Sequence, residues 1–146
     1  MIAHLRDGVK PVLATLDPPV NIHLGYAYAT STTSPIPPMP YFVLAGPTWG
    51  TPEEAPVCGV DEALDAEFRL TAVAANPESA AILLGRARRL LSPGTAWTRI
   101  PYVGRRVQVK FVRSEVLDVD RDVTIPATNR HPGYGVDSYR LVSEPH

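Results

Sequence analysis

The residues of this chain best suited to chemistry are three acids at alternating positions, Asp118, Asp120 and Asp122 in the run DVDRD, followed by His131. On a continuous strand the three carboxylates would share one face, and carboxylates are the ligands that hard divalent cations prefer. With His131 as a general base, they would describe a metal-dependent hydrolase, the alternative function from the enzyme class. The details argue against it. Val123 stands where a calcium loop needs glycine for its sharp turn, and Asn129 where it needs a bidentate glutamate. Arg121 sits among the acids and Arg113 and Arg130 flank them, so solvated or ion-paired strand acids are the expected state. His131 belongs to Asn129-Arg130-His131-Pro132-Gly133-Tyr134-Gly135, where no nucleophile follows a strand, no GxSxG occurs and no glycine-rich phosphate cradle is present. Its glycines and proline predict a tight turn. His23 has no second ligand at strand spacing, and Cys58, the single cysteine, excludes an internal disulfide and a cysteine-based zinc site. The expectation is therefore no catalytic residue, no cofactor and no metal.

Charge is more informative than reactivity. The net charge of −1 hides a split: residues 1–73 carry three basic residues against eight acidic ones, a balance of −5, and residues 74–146 carry eleven against seven, a balance of +4. Arg86, Arg88 and Arg89 on a helix, with Arg105 and Arg106 in a hairpin, could contact phosphates. The slightly negative total and the missing base-reading motif favour a solvated face or a subunit contact instead. On this reading the acidic stretch Glu53, Glu54, Asp61, Glu62 and Asp65 faces the basic residues of a neighbouring copy. Arg130 joins the same contact, and Trp49 or Tyr134 supplies an apolar anchor.

These residues need a scaffold, and the stretch Ala66–Gly94 provides its centre. Phe68, Leu70, Ala72 and Ala74 alternate with Arg69, Thr71, Val73 and Ala75, the period of a strand with one apolar face. Asn76, Pro77 and Glu78 then form a helix start: a side-chain cap, a residue that needs no N–H, and an acid at the positive end of the helix dipole. Ala80, Leu83, Leu84, Ala87, Leu90 and Leu91 make the apolar helix face, and Ser92-Pro93-Gly94 stops it. Upstream, Ile2, Leu5, Val9, Val12, Leu13 and Leu16 predict a first helix, kinked or split at Pro11. Val20–Tyr28 and Tyr41–Ala45 predict strands, separated by a proline-rich loop at 29–40 and followed by a second irregular segment at 46–60. Downstream, Trp97–Val103 and Arg106–Val112 predict a hairpin turning at Gly104, continuing through Val116–Val119, with a last strand at Val136–Val142. The sum is a single α+β domain spanning 1–146, a mostly antiparallel or mixed sheet of five or six strands with two main helices on one face. No run is long and apolar enough to span a membrane, and the N-terminus lacks an apolar signal core, which argues against export.

The segment Val119–Leu141, VDRDVTIPATNRHPGYGVDSYRL, resembles the C-terminal region of tail terminator proteins of long-tailed (siphovirus-type) actinobacterial phages. The element layout is similar to theirs more loosely along the whole chain. The resemblance implies a structural virion protein: a small subunit forming a closed homo-oligomeric ring, usually a hexamer, that ends the tail tube and joins it to the head-side connector. The implied partners are further copies of itself, the tail tube protein and the connector protein, with no membrane and with nucleic acid only as DNA passing through the lumen. The implied location is the head-proximal end of the phage tail in the virion, after assembly in the host cytoplasm. Another neck or head-completion protein of the same particle would show similar traits.

Overall fold

The computed structural model describes residues 2–25, 39–46, 63–125 and 130–145. Within them the chain runs from a first helix, α1, at 2–13 through strands β1 (Asn21–Leu24), β2 (Tyr41–Ala45) and β3 (Leu64–Ala74) to helix α2 (Pro77–Leu91). Strands β4 (Thr98–Ile100), β5 (Arg105–Val119) and β6 (Gly133–Pro145) complete it. All six strands form one curled sheet in the order β1-β2-β3-β6-β5-β4. β1 and β2 are parallel and every other neighbouring pair is antiparallel. The architecture is the α+β class expected, with a mixed sheet.

Both helices lie on the same face of this sheet because their apolar stripes have the same destination. Leu5, Val9 and Leu13 of α1, and Ala80, Leu83, Leu84, Ala87 and Leu91 of α2, are buried with Phe42, Leu44, Phe68, Leu70, Val107, Val109, Tyr139 and Leu141 of the strands. The central unit forms as its residues dictate. Ser79 donates its backbone N–H to the Asn76 side-chain oxygen at 2.8 Å, Pro77 opens α2, and Gly94 turns the chain away from it with φ +63°. In α1 the expected kink or split at Pro11 takes another form. The helix stays continuous but widens to π geometry over Leu5–Val9, with the Lys10 N–H bonded to the Leu5 carbonyl, so the missing Pro11 N–H falls where the ladder is already being reset.

β5 has the length expected but is irregular, and β6 runs longer than its alternation predicts. β5 is continuous from Arg105 to Val119, but its register against β6 slips between Phe111 and Arg113 and again between Ser114 and Val116, each slip adding one residue. Phe111, Ser114 and Leu117 consequently stand opposite Tyr139, Asp137 and Gly135. β6 begins at Gly133, not Val136, and occupies the middle of the sheet between β3 and β5. The tight turn expected at Gly133 and Gly135 is corrected accordingly. Both glycines are strand residues, and the reversal lies upstream, where the Asp120 N–H donates to the Pro132 carbonyl at 2.8 Å and the Ile125 N–H to the Arg130 carbonyl at 2.7 Å. Glycine is needed at 133 because the start of α2 rests on it: a Cβ there would fall 2.1 Å from the Pro77 nitrogen and 2.3 Å from the Asn76 carbonyl carbon.

Gly133→Ala should destabilise the fold by about 2 kcal/mol or more, since the clash is with backbone and has no rotamer that relieves it. Gly85→Ala, a helix position whose Cβ would meet nothing within 4 Å, should instead stabilise it by roughly 0.5–1 kcal/mol. Urea denaturation of the two variants checks both signs.

Candidate functional site

Beneath α2 lies a charged cluster in the core. Asp137 of β6 is fully buried, and the Arg88 guanidinium reaches it from α2 at 2.8 Å. The Ser114 hydroxyl donates to the other carboxylate oxygen at 2.7 Å and accepts from Arg88 at 3.1 Å. The guanidinium carbon lies 4.0 Å from the centre of the Phe111 ring. Beside it the Tyr139 ring stacks on Phe68 with centroids 5.3 Å apart and meets Phe111 edge-on. Burial, and then the Asp137 charge, push the Tyr139 hydroxyl far above the ordinary tyrosine range. This cluster has one carboxylate, one permanent cation and a phenol that stays protonated. It holds three elements together.

A second polar group ties α1 to the sheet. His4 Nε2 is 2.9 Å from the Ser143 hydroxyl, which also accepts from Arg105 Nε at 2.6 Å. The imidazole stacks flat on Tyr102, with centroids 4.9 Å apart and planes 6° from parallel. Burial lowers the His4 pKa, and the positive charges of the N-terminus and Arg105 lower it further.

A concavity lies on the face of the sheet opposite the two helices. It measures about 510 Å³, with Tyr41, Thr71, Val73 and Tyr134 lining it from β2, β3 and β6, and the segment from Asp118 to Val123 along its side. The three acids arrive here, although not as one strand face. β5 ends at Val119, because the Asp118 carboxylate accepts the Val119 N–H at 2.7 Å and the Asp120 carboxylate accepts the Asp122 N–H at 3.1 Å, which turns the chain. Among the described residues no three His, Cys, Asp or Glu side chains converge on a possible metal position. His131 is exposed, with Nδ1 2.7 Å from the Val123 carbonyl. Burial raises the Tyr41 pKa, and the nearby Asp120 charge raises it further.

The expected basic contact residues are mostly engaged within the chain. Arg86 donates to the Asp17 carbonyl at 2.6 Å, Arg88 pairs with Asp137, Arg89 reaches the Gly85 carbonyl at 3.3 Å, and Arg105 holds Ser143. Arg106 lies 3.6 Å from Glu144. Asp65, expected to face a neighbour, pairs with Arg140 across the sheet. Arg130 is exposed at the β5–β6 tip and Tyr134 is half-buried in the concavity. Trp49, Glu53, Glu54, Asp61 and Glu62, with the proline-rich loop at 29–38 and most of the irregular segment, lie outside the described residues. Sequence alone does not single out Asp137 and Ser114. An acid at an inward position of a strand, in Gly135-Val136-Asp137-Ser138, is the available signal. No protein-family model matches this chain, and a search of curated protein sequences finds no relative.

Asp137→Ala should cost about 3–5 kcal/mol in denaturant titrations, because Arg88 would be left without its buried counter-charge. His4 should add no pH dependence to melting above roughly 6.5, the unfolded histidine value, and should make the melting temperature fall as pH drops below it toward the lowered folded value. In that window the unfolded chain binds the extra proton and the folded chain refuses it. The melting profile of His4→Gln between about pH 7.5 and 5 should lose most of that slope.

Proposed function

We propose that this chain is a structural subunit that works as a homo-oligomeric ring, in the manner of a phage tail terminator that closes the tail tube and meets the head-side connector. The observation that carries the reading is the one-sided layering of the sheet. Among the described residues both helices cover one face, and the opposite face is a broad curled surface. Part of it bears ion pairs, Asp65 with Arg140 and Arg69 with Glu115 at 3.2 Å between strands and Arg113 with Glu115 at 3.1 Å along β5. The rest bears half-buried Tyr41, Val43, Val73, Tyr134 and Val136 in and around the concavity. A sheet with one face not covered by helices is suited to docking against other subunits, since that face has apolar surface left to remove from water. The segment that resembles tail terminators, Val119–Leu141, runs from the end of β5 through the tip into the central strand, and so contributes to both the core and this surface. In this role the buried polar clusters serve rigidity, and a ring needs two unlike complementary patches on each copy.

Native mass spectrometry over a concentration series tests the proposal. The expected result is a closed oligomer, a hexamer on the family pattern, that binds tail tube protein. Binding only to the head-side connector would favour a neck or head-completion protein. A strictly monomeric or two-fold dimeric species, even with tail tube protein present, would count against the ring. The metal-dependent hydrolase reading predicts stoichiometric bound metal that is lost in Asp120→Ala, and elemental analysis of the purified protein decides that point.

A further inference from the structure

The cations among the described residues sort by what they touch. Besides the arginines whose carboxylate, hydroxyl or carbonyl partners are given above, Arg6 is held by Asp7. Lys10 and Lys110 are partly buried, and Arg121 and Arg130 sit on the tip segment beside the concavity. Arg99 remains. It is exposed on β4, the outermost strand, and it points to the face opposite the helices because its neighbour Ile100 is buried on the other.

The concavity is the complementary feature on that face. Its side carries Asp118, Asp120 and Asp122 against the single charge of Arg121, and its lining includes the rings of Tyr41 and Tyr134. Carboxylates beside aromatic faces suit a guanidinium, which pairs with the first and stacks on the second. Arg99 cannot reach it in its own chain. Arg99 stands opposite Gln108 and the concavity lies beside Asp118, so the two are separated by the length of β5 between those residues, roughly 30 Å at ~3.3 Å per residue. They occupy opposite corners of one face.

We infer that Arg99 of one copy docks in the acidic concavity of the next. The inference rests on the ring reading and names its contact: two unlike patches at opposite corners, the arrangement that a head-to-tail ring requires. Exposed Trp97, close to Arg99 on the same edge, would border the contact.

Charge exchange tests this in solution, read by native mass spectrometry and sedimentation with circular dichroism as the folding control. Arg99→Glu and Asp120→Arg should each weaken association by about tenfold or more. Mixed in equal amounts they should assemble again. The introduced glutamate then meets the introduced arginine at one junction, and the original Arg99 meets the original Asp120 at the next. A chain carrying both substitutions should assemble alone. If Asp120→Arg fails to fold, Asp122→Arg, exposed on the same rim, takes its place. Single variants that assemble like the wild type, or a mixture that stays dissociated, would overturn the contact while leaving the ring intact and the concavity to another occupant. A wild-type chain that is monomeric throughout would overturn the ring and this contact together.

Discussion

Everything on the helical side of the sheet is arranged around one buried negative charge. Asp137 is in the central strand with no exposed surface, where an unpaired carboxylate would be strongly disfavoured. Its neutralisation needs Arg88 from α2 and Ser114 from β5, so satisfying a single side chain sets the position of the helix along the sheet and the register of the neighbouring strand. The β5 irregularities make sense in this light. Past Phe111, which stands opposite Tyr139, the first register slip brings Ser114 opposite Asp137, and the second brings Leu117 opposite Gly135. Replacing such a pair with apolar residues is often neutral in stability, so its contribution here is better described as specifying one packing of α2 on the strands.

The same constraint explains why a helix can sit so close. The N-terminal turn of α2 lies on Gly133, where its backbone leaves no room for a Cβ, and Leu84 lies over Gly135, where a Cβ would fall 2.6 Å from the leucine methyl. Farther along the helix, Arg88 reaches down to Asp137. Direct backbone contact at one end and a charged tether at the other hold α2 at two points on β6. α1 is held more lightly, by its apolar stripe and by the stacked His4–Tyr102 pair beside Ser143.

The elements whose residues speak for themselves were legible in the sequence: β3 with its clean alternation, α2 with its Asn76 cap and apolar stripe, the short run Tyr41–Ala45, and the turn at Gly104. Those shaped by distant partners were not. Gly133 and Gly135 have the composition of a turn, and only the approach of Pro77 and Leu84 reveals them as strand. Arg88 has the composition of a solvated helix face, and only Asp137, far away in the chain, draws it inward. Asp118, Asp120 and Asp122 alternate as a strand would, while local side-chain to backbone bonds bend them into a turn. Of the concavity, the acids and Tyr134 could be named in advance. That Tyr41, Thr71 and Val73 would complete it depends on the sheet order, which local pattern does not encode.

The doubled bulge in β5 has a consequence for how the protein behaves at high concentration. Val112, Val116 and Leu117 are 38%, 44% and 54% exposed, and among the described residues β4 pairs with β5 only over Val107–Val109, so an apolar stretch of strand is left with an open flank. On a flat, evenly spaced strand that combination would be a nucleus for cross-β growth. Two extra residues within a few positions break the hydrogen-bond spacing and increase the local twist, and Arg113, Glu115 and Asp118 add charge along the same stretch. A second β-strand finds no regular template there. Backbone geometry thereby guards the chain against edge-to-edge fibrillation at high concentration.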